Sequence, residues 1–128
     1  MDPIANMLVA IKNAGERRLA SACVPFSKVN FAIAKILADE GYLEKVTEVT
    51  KEEKGFIEIH LKYLGNNFAI KSLKRISKPG RRYYVKRTDL PTVKSNLGLA
   101  IISTSAGIMT AKEARRKGLG GEIMLEVW

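Results

Sequence analysis

The chain has 128 residues, 46% of them hydrophobic, and its 22 basic and 13 acidic residues give a formal net charge of +9. This length and apolar content indicate one compact domain or two small halves that share a core, and they exclude a disordered chain. No apolar run reaches the ~20 residues of a membrane span, no secretory signal pattern opens the chain, and the single cysteine excludes an internal disulfide. We therefore expect a protein of a reducing intracellular compartment, without a membrane partner.

Two amphipathic helices are predicted in the first half of the chain. Asp2 can accept hydrogen bonds from the free N–H groups of a helix start, and apolar residues then recur at three- and four-residue spacing until Gly15. Ser27 begins a second helix of the same kind, which Gly41 ends. Between them we expect a short strand in which Cys23 is a small buried residue.

Two strands follow, because the apolar period changes to two residues over residues 43–50 and 56–63. His60 falls on the polar face of the second strand, with no other histidine or cysteine near it, so we expect neither a metal nor a catalytic role for it. The first half therefore has the order α-β-α-β-β, which is typical of two helices covering a small sheet.

The charge of the chain is divided unevenly at the turn signal Gly65-Asn66-Asn67. Residues 1–66 contain equal numbers of acidic and basic residues, whereas residues 67–128 carry the whole net charge. We predict an N-terminal α/β subdomain over residues 1–66 and a basic, β-rich subdomain over residues 67–128. A field of one sign attracts polyanions, which favours nucleic acid over a merely solvated basic face.

The second half is predicted to be mainly β with one short helix. A basic strand over residues 72–78 turns at Pro79-Gly80, and the chain returns with Tyr83 buried and Tyr84 exposed. The whole chain is therefore predicted to be α+β with two small subdomains. The remaining predicted elements are a helical turn that ends at Gly98, a buried strand at 99–102, a helix from the Thr110/Glu113 capping box to Gly118, and an alternating strand at 122–128.

Three successive hydroxyl residues, Ser103, Thr104 and Ser105, follow the buried strand and lead to Gly107. The chain lacks a Gly-x-Ser-x-Gly elbow and its only histidine lies in the other half, so a serine nucleophile is not supported. It also lacks a phosphate-binding glycine loop and a zinc ligand set, so we expect no catalysis, no cofactor and no small-molecule substrate. Hydroxyls, tyrosines and cations on strands and loops suit RNA. A basic adaptor that docks on an acidic protein is the alternative.

Four segments of the sequence resemble one known family along essentially the whole chain. The most specific is Gly98-Leu99-Ala100-Ile101-Ile102-Ser103-Thr104-Ser105-Ala106-Gly107, and the others cover residues 2–8, 73–80 and 118–123. The chain is similar in these segments to the bacterial small-subunit ribosomal protein S8 family. The resemblance implies a non-catalytic protein of a cytoplasmic ribosome, or alternatively of an organelle ribosome.

The same resemblance implies the partners and the binding residues. The partners would be other small-subunit ribosomal proteins and the central domain of small-subunit ribosomal RNA, at an irregular helical region with a widened minor groove, and the protein would assist assembly. The implied RNA-binding residues are Ser103, Thr104, Ser105, Gly107, Arg82, Tyr84 and Lys86, and less directly Lys12 and Asn13 at the end of the first helix.

The sequence departs from the family pattern at two positions. Ala106 stands where the family often has Lys or Gln, so one polar contact beside the hydroxyl loop is expected to be missing. Asn96 stands where Gly is usual, which puts the turn before Leu99 in doubt. Neither departure touches the three hydroxyl residues.

Overall fold

The computed structural model describes residues 2–91 and 98–128. They contain helices and antiparallel strands, which confirms the predicted α+β fold class. The chain divides into two compact units, Met1–Ile70 and Lys71–Trp128, while the predicted subdomain boundary after residue 66 stays a prediction. Asn96 and most of the helical turn predicted before Gly98 lie outside the described residues. No helix in the described part has the length and apolar character needed to cross a membrane.

The first unit is an antiparallel sheet of three strands with two helices packed on it. Its elements are α1 (Pro3–Glu16), β1 (Ser21–Pro25), α2 (Lys28–Asp39), β2 (Leu43–Lys51), β3 (Lys54–Leu61) and a small hairpin of β4 (Tyr63–Leu64) and β5 (Asn67–Phe68). The predicted order α-β-α-β-β is present, and the hairpin of β4 and β5 is an addition. β3 lies between β1 and β2 in the sheet, and the helices pack with α1 against β1 and α2 against β2.

Local capping signals position the helices of this unit. Asp2 Oδ1 accepts a hydrogen bond of 3.0 Å from the backbone N–H of Ala5, and Ser27 Oγ accepts one of 3.1 Å from that of Asn30, which confirms both predicted starts. The predicted stop at Gly15 is wrong, because α1 continues for one more residue. Gly15 instead lies against the ring of Phe68, which a Cβ at this position would overlap.

The alternation of β3 buries one face of the sheet. Ile57 and Ile59 are fully buried, while His60 lies on the other face with its Nε2 2.7 Å from Glu58 Oε1. The prediction that Cys23 is buried is wrong, because the alternation of β1 buries its neighbour Val24 and leaves the thiol exposed.

The second unit is a five-stranded antiparallel sheet with one helix. Its elements are β6 (Leu73–Arg75), β7 (Tyr84–Val85), a 3-10 turn (Arg87–Asp89), β8 (Leu99–Thr104), β9 (Gly107–Thr110), α3 (Ala111–Lys117) and β10 (Gly121–Val127). The sheet has the order β6-β10-β8-β9, and β7 also pairs with β10. β10 therefore pairs with three strands, β6, β7 and β8, of which β8 also pairs with β9.

One face of this sheet packs against α3. The helix begins at Thr110, whose Oγ1 accepts a hydrogen bond of 3.1 Å from the backbone N–H of Glu113, and it ends at Gly118, which has a φ of 71°. The apolar cluster between them contains Leu90, Ala100, Ile102, Met109, Ala111 and Ala114, with Val85, Leu119, Ile123 and Trp128 packed at its margin.

Candidate nucleic-acid interface

A row of paired residues crosses the sheet of the second unit on the face opposite α3. Glu122 of β10 pairs with Tyr84 of β7 on one side and with Ser103 of β8 on the other, and Ser103 in turn pairs with Ile108 of β9. Side chains of directly paired residues lie on the same face of a sheet. Two of the predicted binding residues, Tyr84 and Ser103, are therefore neighbours of one carboxylate.

The neighbouring residues along these strands explain which face this is. Val85, Ile102 and Met109 alternate with Tyr84, Ser103 and Ile108, and all three contribute to the apolar cluster under α3. The row must then point away from α3. Tyr84 is 71% exposed, so its ring is open to a ligand rather than part of the core. This confirms the predicted exposure of Tyr84.

The hydroxyl segment is the tip of a β-hairpin rather than a loop after a strand. Ser103 and Thr104 belong to β8, only Ser105 and Ala106 form the connection, and Gly107 begins β9. Gly107 has a φ of 115°, which a side chain rarely allows and which closes the hairpin after two residues of negative φ. The expectation of a hydroxyl loop that follows the strand is therefore corrected to a short turn fixed by two strands.

The three hydroxyls have different surroundings. Thr104 Oγ1 donates to the carbonyl of Gly107 at 2.8 Å and accepts from the backbone N–H of Ala106 at 3.1 Å, so it is used within the turn. Ser105 is exposed at the tip, and Ser103 is half-buried in the row beside Glu122. Thr104 thus shapes the hairpin, whereas Ser105 is the hydroxyl best placed for a ligand. Ala106 is also exposed at the tip, and the missing contact predicted there stays a prediction.

A glycine at the start of β10 allows β8 to approach closely. A Cβ on Gly121 would overlap the carbonyl oxygen of Ser103, and a Cβ on Gly120 would overlap that of Val85. These close backbone approaches hold β7, β8 and β10 in the register that forms the row.

Arg82 is held at the row by an ion pair. Its Nη1 donates to Glu122 Oε2 at 3.0 Å, and its side chain is 50% exposed while that of Glu122 is 13% exposed. Lys86 follows β7 and is exposed, with no carboxylate partner in the described part of the chain. Sequence reasoning missed Glu122, although it is one of only four acidic residues in the basic half.

The prediction that Tyr83 is buried is wrong. Tyr83 is 41% exposed, and the guanidinium carbon of Arg81 lies 5.8 Å from the centroid of its ring. β7 contains only two residues, so alternation does not extend back to Tyr83, and the apolar position facing the core is Val85.

α3 carries four basic residues, and their charge is partly neutralised by the helix itself. Glu113 is paired with Arg116, whose hydrogen bond holds the pKa of this carboxyl below its usual value, and Lys117 Nζ lies 3.9 Å from the same residue. Arg115 donates to the carbonyl of Leu90 at 3.2 Å. The side chain of Glu113 is therefore bonded to Arg116 further along the helix. It does not complete the predicted capping box, in which it would bond back to the start of the helix.

Lys12 and Asn13 lie in the first unit, where both are exposed on the last turns of α1. Their predicted contact with RNA stays a prediction. Among the described residues no group of three or more His, Cys, Asp and Glu side chains could hold a metal ion.

Comparison with known proteins decides the family. The family model for ribosomal protein S8 matches residues 2–128. The chain belongs to the ribosomal protein S8 family. As a member of this family it is a structural constituent of a ribonucleoprotein that works in translation, and it is not an enzyme.

Relatives from several bacteria match this family member over nearly their whole length. The small ribosomal subunit proteins uS8 of Dictyoglomus turgidum and Caldicellulosiruptor bescii are both 50% identical to it, over 99% and 100% of this chain and over 97% and 98% of their own. The protein of the same name from Caldanaerobacter subterraneus is 52% identical over 99% of this chain and 97% of its own. These matches confirm the resemblance inferred from the four sequence segments.

Proposed function

We propose that the chain is a constituent of the small ribosomal subunit and binds the central domain of small-subunit ribosomal RNA. Its relatives carry the name of small ribosomal subunit proteins, which supports the subunit. The family resemblance adds the remaining parts of the proposal. These are the RNA domain, a role in assembly, contacts with other small-subunit proteins and a place in the cytoplasmic ribosome. The observation that carries RNA binding is the row, with the exposed ring of Tyr84 at one end, beside the exposed hairpin tip.

The row and the residues next to it offer two kinds of contact to RNA. Ser105 at the tip, with Ser103 in the row, supplies hydroxyl groups that donate and accept hydrogen bonds, and the wide minor groove of A-form RNA presents 2′-hydroxyls and base edges to such groups. Tyr84 supplies an exposed ring, and Lys86 a cation for the phosphate backbone. In this proposal the hydroxyls and the ring recognise the shape of the groove, and the cations provide affinity. Gly107 contributes to RNA binding indirectly in this proposal, because it closes the turn at which Ser105 is exposed.

Chemical footprinting of small-subunit ribosomal RNA, with and without the protein, tests this proposal. We expect protection of sugars and base edges confined to the central domain and arranged along one minor groove. A wild-type protein that protects no nucleotides, or that protects all domains equally at moderate salt, would contradict it. The adaptor alternative predicts that an acidic polypeptide such as polyglutamate displaces the protein from the RNA at equal charge concentration. We expect no such displacement.

A further inference from the structure

A basic hairpin over residues 78–83 lies next to the row and has a rigid turn at its tip. The backbone N–H groups of Lys78 and Arg81 donate to each other's carbonyls at 3.0 and 2.9 Å, which closes a two-residue turn at Pro79 and Gly80. Proline at the first central position and a φ of 81° at Gly80 are typical of a type II turn. The turn is therefore held by its backbone and by the ring of Pro79, and it needs nothing from the exposed side chains of Lys78 and Arg81.

The base of the hairpin is fixed by backbone contacts to Tyr83. Ser77 is 1% exposed, and its Oγ accepts a hydrogen bond of 2.9 Å from the backbone N–H of Tyr83. The carbonyl of Tyr83 accepts one of 2.9 Å from the backbone N–H of Ile123 in β10. Both bonds use the backbone atoms of residue 83. The position of this residue therefore does not depend on which side chain it carries.

The side chains of the 78–83 hairpin remain available to a ligand. Tyr83 is exposed with the guanidinium of Arg81 over its ring, and Lys78 is exposed as well. The ring of Tyr83 thus stands on a fixed backbone position beside the Arg81 cation, and Lys78 is a second cation of the same hairpin. No acidic residue of the described ranges is paired with either cation.

We propose that Tyr83 and Arg81 form a stacking site for one unpaired RNA base, with Lys78 at an adjoining phosphate. This inference rests on the proposed RNA-binding function and adds to it a site for a nucleotide outside the paired helix. Aromatic rings and guanidinium planes both stack on unpaired bases, and such stacking tolerates any base because each has a π-face. An acidic protein segment would use the cations but has no need of the exposed ring, so RNA fits better.

The test compares the full-length wild type with Tyr83→Phe, Tyr83→Leu and Arg81→Gln for binding to a transcript of small-subunit ribosomal RNA. Tyr83→Phe keeps the ring and should bind as the wild type does. Tyr83→Leu should weaken binding by about 5- to 150-fold, with the slope of log affinity against log salt unchanged, since stacking releases no counterion. Arg81→Gln should weaken binding because it removes one of the two stacking groups. A further variant, Lys78→Gln, should flatten that slope by ~0.7–0.9, because Lys78 is the cation placed at the phosphate.

Two controls accompany these variants. Leu64→Ala, at a side chain that is 63% exposed in the other unit, should leave affinity unchanged. Thermal unfolding should show that Tyr83→Leu folds as the wild type does, because the backbone bonds to Ser77 and Ile123 remain. In transcripts that contain 4-thiouridine, photocrosslinks should reach the 78–83 hairpin at unpaired nucleotides in the wild type and in Tyr83→Phe.

Several results would overturn the stacking site while leaving the proposed function in place. One is wild-type affinity of Tyr83→Leu in an experiment where Ser105→Ala does weaken binding. Another is an equal loss in Tyr83→Phe and Tyr83→Leu, which would indicate a contact of the phenol oxygen instead. A third is a loss of affinity for polyglutamate but not for RNA in Tyr83→Leu, which would indicate a protein partner. Absence of RNA binding by the wild type would overturn both proposals together.

Discussion

Arg82 and Glu122 form an ion pair that joins β10 to the residues before β7, with Nη1 of Arg82 3.0 Å from Oε2 of Glu122. The carboxylate is mostly covered and the guanidinium is half exposed, so Glu122 anchors a cation that still reaches solvent. Because Glu122 also pairs with Tyr84 and Ser103 in the sheet, the ion pair fixes Arg82 to the row. In the proposed complex, Arg82 would therefore meet an RNA phosphate with a charge that Glu122 already partly neutralises.

This difference predicts unequal salt effects for two neighbouring cations. Lys86→Ala should flatten the slope of log affinity for ribosomal RNA against log salt by ~0.7–0.9, the contribution of one phosphate contact. Arg82→Gln should flatten it by less, because Glu122 already acts as the counterion of Arg82. Filter binding or fluorescence anisotropy at five or six salt concentrations measures both slopes. An equal change in the two variants would mean that RNA displaces Glu122 from Arg82.

Ser105→Ala should weaken RNA binding without changing the fold. The hydroxyl is exposed at the hairpin tip, so its removal should leave the free energy of unfolding within about 0.5 kcal/mol of the wild type. In the complex its partner on the RNA would be left without a hydrogen bond, at about 1–3 kcal/mol of binding free energy. Ser21→Ala, an exposed serine in the first unit, is the matched control. Unchanged affinity of Ser105→Ala at equal salt would remove the hydroxyl from the interface.

Thr104→Val should have its main effect on stability. The substitution keeps the branched shape that strands favour but removes both hydrogen bonds of Oγ1, to the carbonyl of Gly107 and from the N–H of Ala106. These bonds are exposed, so we expect a loss of about 0.5–1.5 kcal/mol in the free energy of unfolding, measured with urea. A variant that is as stable as the wild type but binds RNA poorly would show instead that Thr104 contacts the RNA directly.

Gly121→Ala should destabilise the second unit. Its Cβ would overlap the carbonyl oxygen of Ser103, which belongs to the backbone and can move only if β8 and β10 separate. We expect a loss of about 1–3 kcal/mol in the free energy of unfolding and weaker RNA binding. Gly55→Ala, where the new Cβ would meet the Cβ of Phe26 at 3.3 Å, should lose less. If both substitutions were equally mild, close backbone approach would not be what holds the row.

Glu113→Gln should strengthen RNA binding, because it frees the two cations that Glu113 now pairs. If Arg116 or Lys117 then meets a phosphate, the salt slope steepens by ~0.7–0.9 for each new contact. Glu48→Gln removes the same charge from an exposed position of β2 and measures the effect of net charge alone. Equal gains in the two variants would show that α3 makes no phosphate contact of its own.

Local signals were enough to predict how the helices begin. Asp2, Ser27 and Thr110 each accept a hydrogen bond from a backbone N–H three residues later, so the relevant residues lie within one turn of the sequence. The alternation of β3 was also predictable, because a strand of eight residues shows its period clearly. The same signal failed for Tyr83, since β7 has only two residues. The burial expected of Cys23 did not use this signal, and the alternation of β1 leaves its thiol exposed.

The row itself could not be read from the sequence. Tyr84, Ser103 and Glu122 are neighbours only through the order of the strands, and a bulge between Ile123 and Leu125 shifts the register of β10 against β8. No period or spacing along the chain encodes that shift. The family resemblance pointed to Tyr84 and Ser103 but not to Glu122, which the pairing of β10 places between them.

β10 pairs with β6, β7 and β8 although it follows all of them along the chain. A nascent chain that has emerged only as far as α3 therefore cannot align Tyr84 with Ser103, however complete its first unit is. Folding during synthesis proceeds from the N-terminal side, so the row that we propose binds RNA forms only after residues 121–127 have been made. A partly translated chain would in this way be unable to compete with finished copies for their place in an assembling particle.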